Sequence, residues 1–201
     1  MKEAIFFEIL NDATMVLKEL GVVSWLTDGT LLGYKRDATF ISHDPDIDIG
    51  VWISDWKNEI LPAMIKQDFE LIHVLGTVDN GLEYSFQKNG VRFDIFFFYK
   101  HEETVSYACY MDGIQLKFEY PLFDLIPVDF LGQTFNIPDN TDQYIEIRYG
   151  KNWHIPDPIW HWAYSPENCQ VNDSRIKVKL KFKYDKTMWR VKKYLNRRLP
   201  Q

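Results

Sequence analysis

Three aspartates at alternate positions, Asp44, Asp46 and Asp48, run into the apolar segment Ile47 to Ile53. On an extended chain alternate side chains share a face, which sets Asp46 and Asp48 two rises of about 3.3 Å apart. Two carboxylates held that close repel each other, and the repulsion raises the affinity of each for a cation. Oxygen-only ligands suit a hard ion such as Mg²⁺ or Mn²⁺, which keeps several waters and takes substrate phosphates as further ligands. The chemistry this pattern points to is metal-assisted phosphoryl transfer. Upstream, Thr27-Asp28-Gly29-Thr30 closes a short β-rich run, Val22 to Leu26. Gly29, with no side chain in the way, would let the backbone approach a phosphate.

A third acid, Asp94, interrupts the apolar run Val91 to Phe98. An unpaired carboxylate there would be costly. Either Asp94 pairs with Arg92 or a lysine, or its strand lies beside Ile47 to Ile53 and three carboxylates converge.

The elements that would position these residues follow from periodicity. Ile5, Phe6, Ile9, Leu10, Ala13, Val16, Leu17 and Leu20 predict a helix over 3–20, ended by Gly21. A brief helix follows through Thr30 to Tyr34, and Ile47 to Ile53 is the second strand. Ser54 is the expected N-cap of a helix carrying Trp56, Ile60, Leu61, Met64 and Ile65. Strands over 69–75 and 82–88 are joined at Asp79-Asn80-Gly81, and Asn89-Gly90 predicts a two-residue hairpin into the strand 91–98. Short strands and loops occupy 104–137, and a helix over about 140–148 stops at Gly150. The order predicts an α+β fold, one mixed β-sheet packed with helices.

The chain of 201 residues is 46% hydrophobic and 16% aromatic, which describes a packed globule. Residues 1–170 are expected to form one domain, followed by a basic extension over 171–201. Cys109 and Cys169 cannot build a disulfide framework or a cysteine-rich zinc site. No signal peptide pattern opens the sequence and no apolar run approaches the roughly 20 residues needed to span a bilayer, so a soluble, cytoplasmic protein is expected. Residues 175–201 hold 11 of the 23 Lys and Arg and one acid, Asp185, which leaves the rest strongly acidic. An acidic body is a poor general binder of nucleic acid, and no nucleic-acid partner is expected.

Gly29-Thr30, Asp46-x-Asp48 and Asp94 occur in the order and spacing of the nucleotidyltransferase superfamily, which the chain resembles. More narrowly it resembles the LicD/fukutin family. The matching pieces are Gly29-Thr30-Leu31-Leu32-Gly33 with Arg36, the block Ile41 to Gly50, the segment Tyr84 to Tyr99, and Tyr149 to Trp162 followed by Ser165-Pro166. The resemblance covers roughly residues 20–170 and implies a nucleotidyltransferase-like fold. It also implies a transferase that moves a phospho-alcohol, of ribitol phosphate or phosphocholine type, from a CDP-linked alcohol donor to a glycan acceptor. Asp46 and Asp48 would hold Mg²⁺, and Asp94 would either complete that site or accept the proton of the attacking hydroxyl. Gly29, Thr30, Arg36 and Asp44 would bind substrate, Arg36 through its bidentate fork. The family's membrane anchor, stem and cysteine-rich zinc element have no counterpart, so neither Golgi residence nor a structural zinc is carried over.

Several residues keep two readings. Asp44 is a site residue or a cap of the strand that follows. His43 reads as scaffold before substrate contact, and Trp160 and Trp162 as packing, whereas Asn152 and Trp153 could position a base or sugar. Glu83 and Arg92 receive no role. The tail alternates charge and apolar residues from Arg175 to Tyr184, then turns helical in spacing over Trp189 to Arg198. It is a solvated edge strand and helix, or a surface for an anionic glycan, phosphorylated acceptor or acidic lipid. Two functions compete with phospho-alcohol transfer: nucleotidyl transfer from a nucleoside triphosphate, and noncatalytic glycan or nucleotide binding.

Overall fold

The computed structural model describes residues 2–196. Helix α1 (Lys2–Glu19) buries Phe6, Ile9, Leu10, Ala13, Val16 and Leu17, the face its spacing predicts. Gly21 ends it at φ 69°. The Gly21 amide donates to the Lys18 carbonyl at 2.9 Å and the Val22 amide to that of Leu17 at 2.8 Å, the paired bonds of a Schellman cap. Strand β1 (Ser24–Leu26), helix α2 (Asp28–Asp37) and strand β2 (Asp46–Trp52) follow. Trp25 of β1 faces Gly50 of β2, where a Cβ would overlap the indole. Gly50 therefore serves the core, letting Trp25 pack at 4.5 Å from the Trp52 ring and 5.1 Å from that of Phe98.

After helix α3 (Ile60–Lys66) come β3 (Glu70–Thr77), β4 (Asn80–Lys88) and β5 (Val91–Lys100). The β4–β5 hairpin turns on Asn89 and Gly90, at φ 50° and 76°, as the two-residue turn requires. Strands β6 (Thr104–Met111) and β7 (Ile114–Pro121) continue the sheet, and β8 (Leu125–Phe130) pairs with β9 (Gln133–Pro138) as a separate hairpin. Helix α4 (Thr141–Tyr149), strand β10 (Cys169–Val171) and helix α5 (Ile176–Asn196) complete the order. The main sheet runs β1-β2-β5-β6-β7-β10, with β4 also pairing β5 and β3 pairing β4. It is the expected mixed sheet in an α+β fold: β2 and β5 are parallel, and the other pairs of this sheet are antiparallel.

Two local expectations fail. Ser54 does not cap a helix, because residues 53–55 form a 3₁₀ turn and α3 begins only at Ile60. Trp56 accounts for the delay: its backbone is extended, and its indole N–H donates to the Tyr84 hydroxyl at 2.8 Å. The alternating segment 175–184 is not an edge strand but the start of α5. Lys and Leu are good helix formers, and the helix places Phe182 in a buried seat against Tyr164, at 5.5 Å between rings. Part of the helical stretch expected to reach Arg198 lies outside the described residues. The boundary expected at residue 170 falls inside β10, which pairs with β7. Both cysteines are free and buried. No helix among the described residues is long and apolar enough to cross a membrane.

Candidate active site

Parallel pairing of β2 with β5 sets Asp48 opposite Asp94 and Asp46 opposite Arg92. Carboxylate oxygens of Asp46, Asp48 and Asp94 lie within 4.8 Å of one another. They sit in the floor of a cleft of ≈ 380 Å³, whose wall includes Phe96, Arg148, Tyr149, Trp160 and Trp162. The β1–α2 turn holds Asp48 from two sides. The Gly29 amide donates to Asp48 Oδ2 at 3.0 Å, and the Asp48 amide donates to the Thr30 hydroxyl at 2.8 Å. A Cβ on Gly29 would collide with the Asp44 carboxylate and lie 3.2 Å from that of Asp48, so glycine leaves room for the acids themselves.

The acids strain against one another. Burial pushes Asp48 well above the usual carboxylate range, and the charges of Asp46, Asp28, Asp44 and Asp94 add to it. Asp44 lines the same cleft. Burial, then a hydrogen bond to and the charge of Asp46, push it up to about 8, against a lowering by Lys2. Asp94 is raised to about 6 by burial, held down by the Arg92 guanidinium and the Ser85 hydroxyl. Ser85 Oγ donates to Asp94 Oδ1, and Arg92 Nε lies 2.9 Å from Asp94 Oδ2. The pairing with Arg92 and the convergence with Asp46 and Asp48 therefore coexist. An oxygen-only, mutually repelling donor set, with Asp48 and Asp94 buried and Asp46 half-buried, fits a hard divalent cation, whose charge would relieve that repulsion.

Asp28, Glu83, Arg92 and Arg148 are cleft residues to which sequence reasoning gave no role. Arg148 Nε stands 2.7 Å from Asp28 Oδ1, with both side chains buried, and the Tyr107 hydroxyl reaches the two Asp28 oxygens at 2.8 and 2.6 Å. Asp28 has φ 40°, a conformation non-glycine residues seldom adopt. Glu83 is raised to about 8 by burial and by Asp94, against the lowering effect of Arg92. A signal for Glu83 and Arg92 was present: the Asn89-Gly90 turn fixes Ser85 opposite Asp94, and Glu83 and Arg92, two residues from Ser85 and Asp94 on their strands, share that face. For Arg148 the signal is its spacing, four residues after Tyr144 and three after Ile145, both buried.

Arg36 is not brought to the acids. It lies at the end of α2, pairs with Asp37 at 2.8 Å and is not part of the cleft wall, because about two turns of helix carry it away from Gly29. His43 likewise lies off that wall. Trp160 and Trp162, read as packing, line the cleft together with His161.

In comparison with known proteins, residues 21–140 match the family described as LicD/FKTN/FKRP, nucleotidyltransferase domain. The chain is 39% identical over 168 residues to the mouse ribitol-5-phosphate transferase FKTN, covering 82% of this chain and 36% of that protein. Human FKTN is 38% identical over the same length and the same shares. Human ribitol 5-phosphate transferase FKRP is 27% identical over 157 residues, 71% of this chain and 31% of that protein. The chain spans about a third of the length of these curated relatives. With the acid-bearing strands, the Gly-Thr turn and the match all falling in one stretch, the chain belongs to the LicD/FKTN/FKRP family and carries its nucleotidyltransferase domain.

Proposed function

We propose that this chain is a transferase that moves a phospho-alcohol from a CDP-activated donor to a glycan hydroxyl, with Mg²⁺ or Mn²⁺ held by Asp46 and Asp48. The observation that carries the reading is the carboxylate triad, within 4.8 Å, at the floor of a cleft walled by aromatic residues and Arg92. A divalent cation, when bound, supplies charge neutralisation at the donor diphosphate. The acceptor hydroxyl attacks the phosphorus that bears the alcohol, a new P–O bond forms, the bond to CMP breaks, and CMP leaves with the electron pair. Asp94 is the residue to take the hydroxyl proton, because it is the acid of the triad fixed by side-chain donors, Ser85 and Arg92. Arg92, on the cleft wall, replaces Arg36 as the phosphate contact. Arg148 is committed to Asp28 and to the Trp162 carbonyl, which its Nη1 reaches at 3.3 Å, so it shapes the wall.

Calorimetric titration of CDP-ribitol, CDP-choline, CTP and ATP, each with and without Mg²⁺, tests the reading. Metal-dependent binding of a CDP-alcohol, lost in Asp48→Asn while the fold persists, is expected, with CMP released once acceptor is added. Preference for a triphosphate with release of pyrophosphate would overturn it.

A further inference from the structure

Helix α5 has two faces with different surroundings. At 3.6 residues per turn, Phe182, Lys186, Trp189 and Lys193 share one face. That face is docked on the domain. Phe182 is buried, Lys186 Nζ donates to the Pro166 carbonyl at 2.8 Å, and Lys193 Nζ pairs with Asp157 at 2.6 Å. The opposite face aligns Ile176, Leu180, Tyr184, Met188 and Val191 in one apolar row. Ile176, Leu180 and Tyr184 are 73%, 61% and 64% exposed, and the row continues exposed through Met188 and Val191. Lys177, Lys181 and Lys192 flank the row on one side, and Lys179, Lys183 and Arg190 on the other, all exposed. The whole helix carries eight Lys and Arg against one acid, Asp185.

We propose that α5 is a docking surface for an anionic phospholipid bilayer, lying flat on it with the row of Ile176 to Val191 in the acyl boundary and the flanking cations among the phosphates. A basic amphipathic helix binds such an interface through buried apolar area and attraction to anionic headgroups together. The long lysine stems allow the ammonium groups to reach the headgroup level on both sides of the apolar row. Other occupants fit less well. A nucleic acid matches the charge but offers no apolar phase for the row. A second copy would bring two lysine-flanked rows together, like charge against like. A protein that clamps a helix from two sides meets the docked face, already occupied by the domain. A planar surface needs only the face that is free.

Flotation of the full chain with vesicles of phosphatidylcholine alone, or mixed with phosphatidylserine, decides the matter. Binding to the mixed vesicles, weakened by salt and absent from phosphatidylcholine alone, is expected. Lys179→Gln and Lys183→Gln should each weaken it about fivefold, and Leu180→Ser/Met188→Ser by more than about tenfold. These side chains are exposed, and circular dichroism verifies that the helix persists. Should the serine variant lose its helix, the lysine variants and the salt titration carry the test. No flotation with mixed vesicles overturns the proposal, as does undiminished binding in a folded serine variant. A concentration-dependent dimer abolished by the serine substitutions, or tighter binding to RNA than to mixed vesicles, overturns it in favour of the other occupants.

Discussion

Replacing Arg148 with methionine removes the cation that holds Asp28 at the back of the cleft. Both side chains are nearly inaccessible, 4% and 6% exposed, and the ion pair spans 2.7 Å. The guanidinium also lies over the Phe118 ring at 4.1 Å, a contact methionine largely keeps by volume. What is lost is charge compensation: Asp28 would remain buried with Asp44 and Asp48 for neighbours and only the Tyr107 hydroxyl to satisfy it. Orphaning one member of a buried pair costs about 3–5 kcal/mol. For a domain of this size each kcal/mol moves Tm by about 2–4 °C, so a fall of about 6–20 °C is expected. Adding Asp28→Asn to the same chain removes the orphaned charge and should recover most of the loss. Urea unfolding followed by tryptophan fluorescence, run on the parent, both single variants and the double, gives the coupling energy directly. A loss below about 1 kcal/mol in Arg148→Met, or a second substitution that deepens the loss instead of reversing it, would refute the reasoning.

Glu83→Gln should gain stability over the parent as pH rises. The folded Glu83 carboxyl sits at about 8 against an ordinary 4.5. The folded state therefore holds a proton that the unfolded state releases, and the parent loses stability as pH climbs between those values. Unfolding curves of parent and variant at pH 5 and pH 8 check this, and a pH-independent difference would contradict it. The thiols of Cys109 and Cys169 are buried and pushed up, that of Cys169 to about 11, so neither should react with a thiol probe at pH 8 until the chain unfolds. Prompt native-state labelling of either would show the burial to be wrong.

The acid cluster was legible because a strand repeats every two residues: Asp46 and Asp48 had to share a face, and Asp94 had to turn away from Phe93 and Ile95. The hairpin at Asn89-Gly90 was legible from turn chemistry and also fixed the β4–β5 register, from which Ser85 and its bond to Asp94 could have been read. Arg36 misled because a short motif says nothing about how far a helix carries its last turn from its first. The site's other half comes from Arg148 and the segment around Trp160, which reach the acids only through tertiary packing. No local period marks that segment, so nothing in residues 151–168 alone distinguished a wall from a plug of packed indoles. The tail failed for a different reason: alternation of Lys with apolar residues satisfies a strand period and, at every fourth position, a helix face equally well.

The segment between α4 and β10 has no helix or strand of its own, yet it is fastened on both sides. Arg148 reaches the Trp162 carbonyl at 3.3 Å from the acid side, and Lys193 holds Asp157 at 2.6 Å from the side of α5, with the Trp189 ring 6.3 Å from that of His161. A wall pinned in this way has little room to swing as a gate, so the cleft is preformed and its mouth is the entrance. Ligand capture should then follow a single bimolecular phase whose rate rises linearly with ligand concentration, without the plateau that a slow closing step imposes. The molecule has put its rigidity in an irregular loop, and its kinetics of capture should look like those of a rigid scaffold.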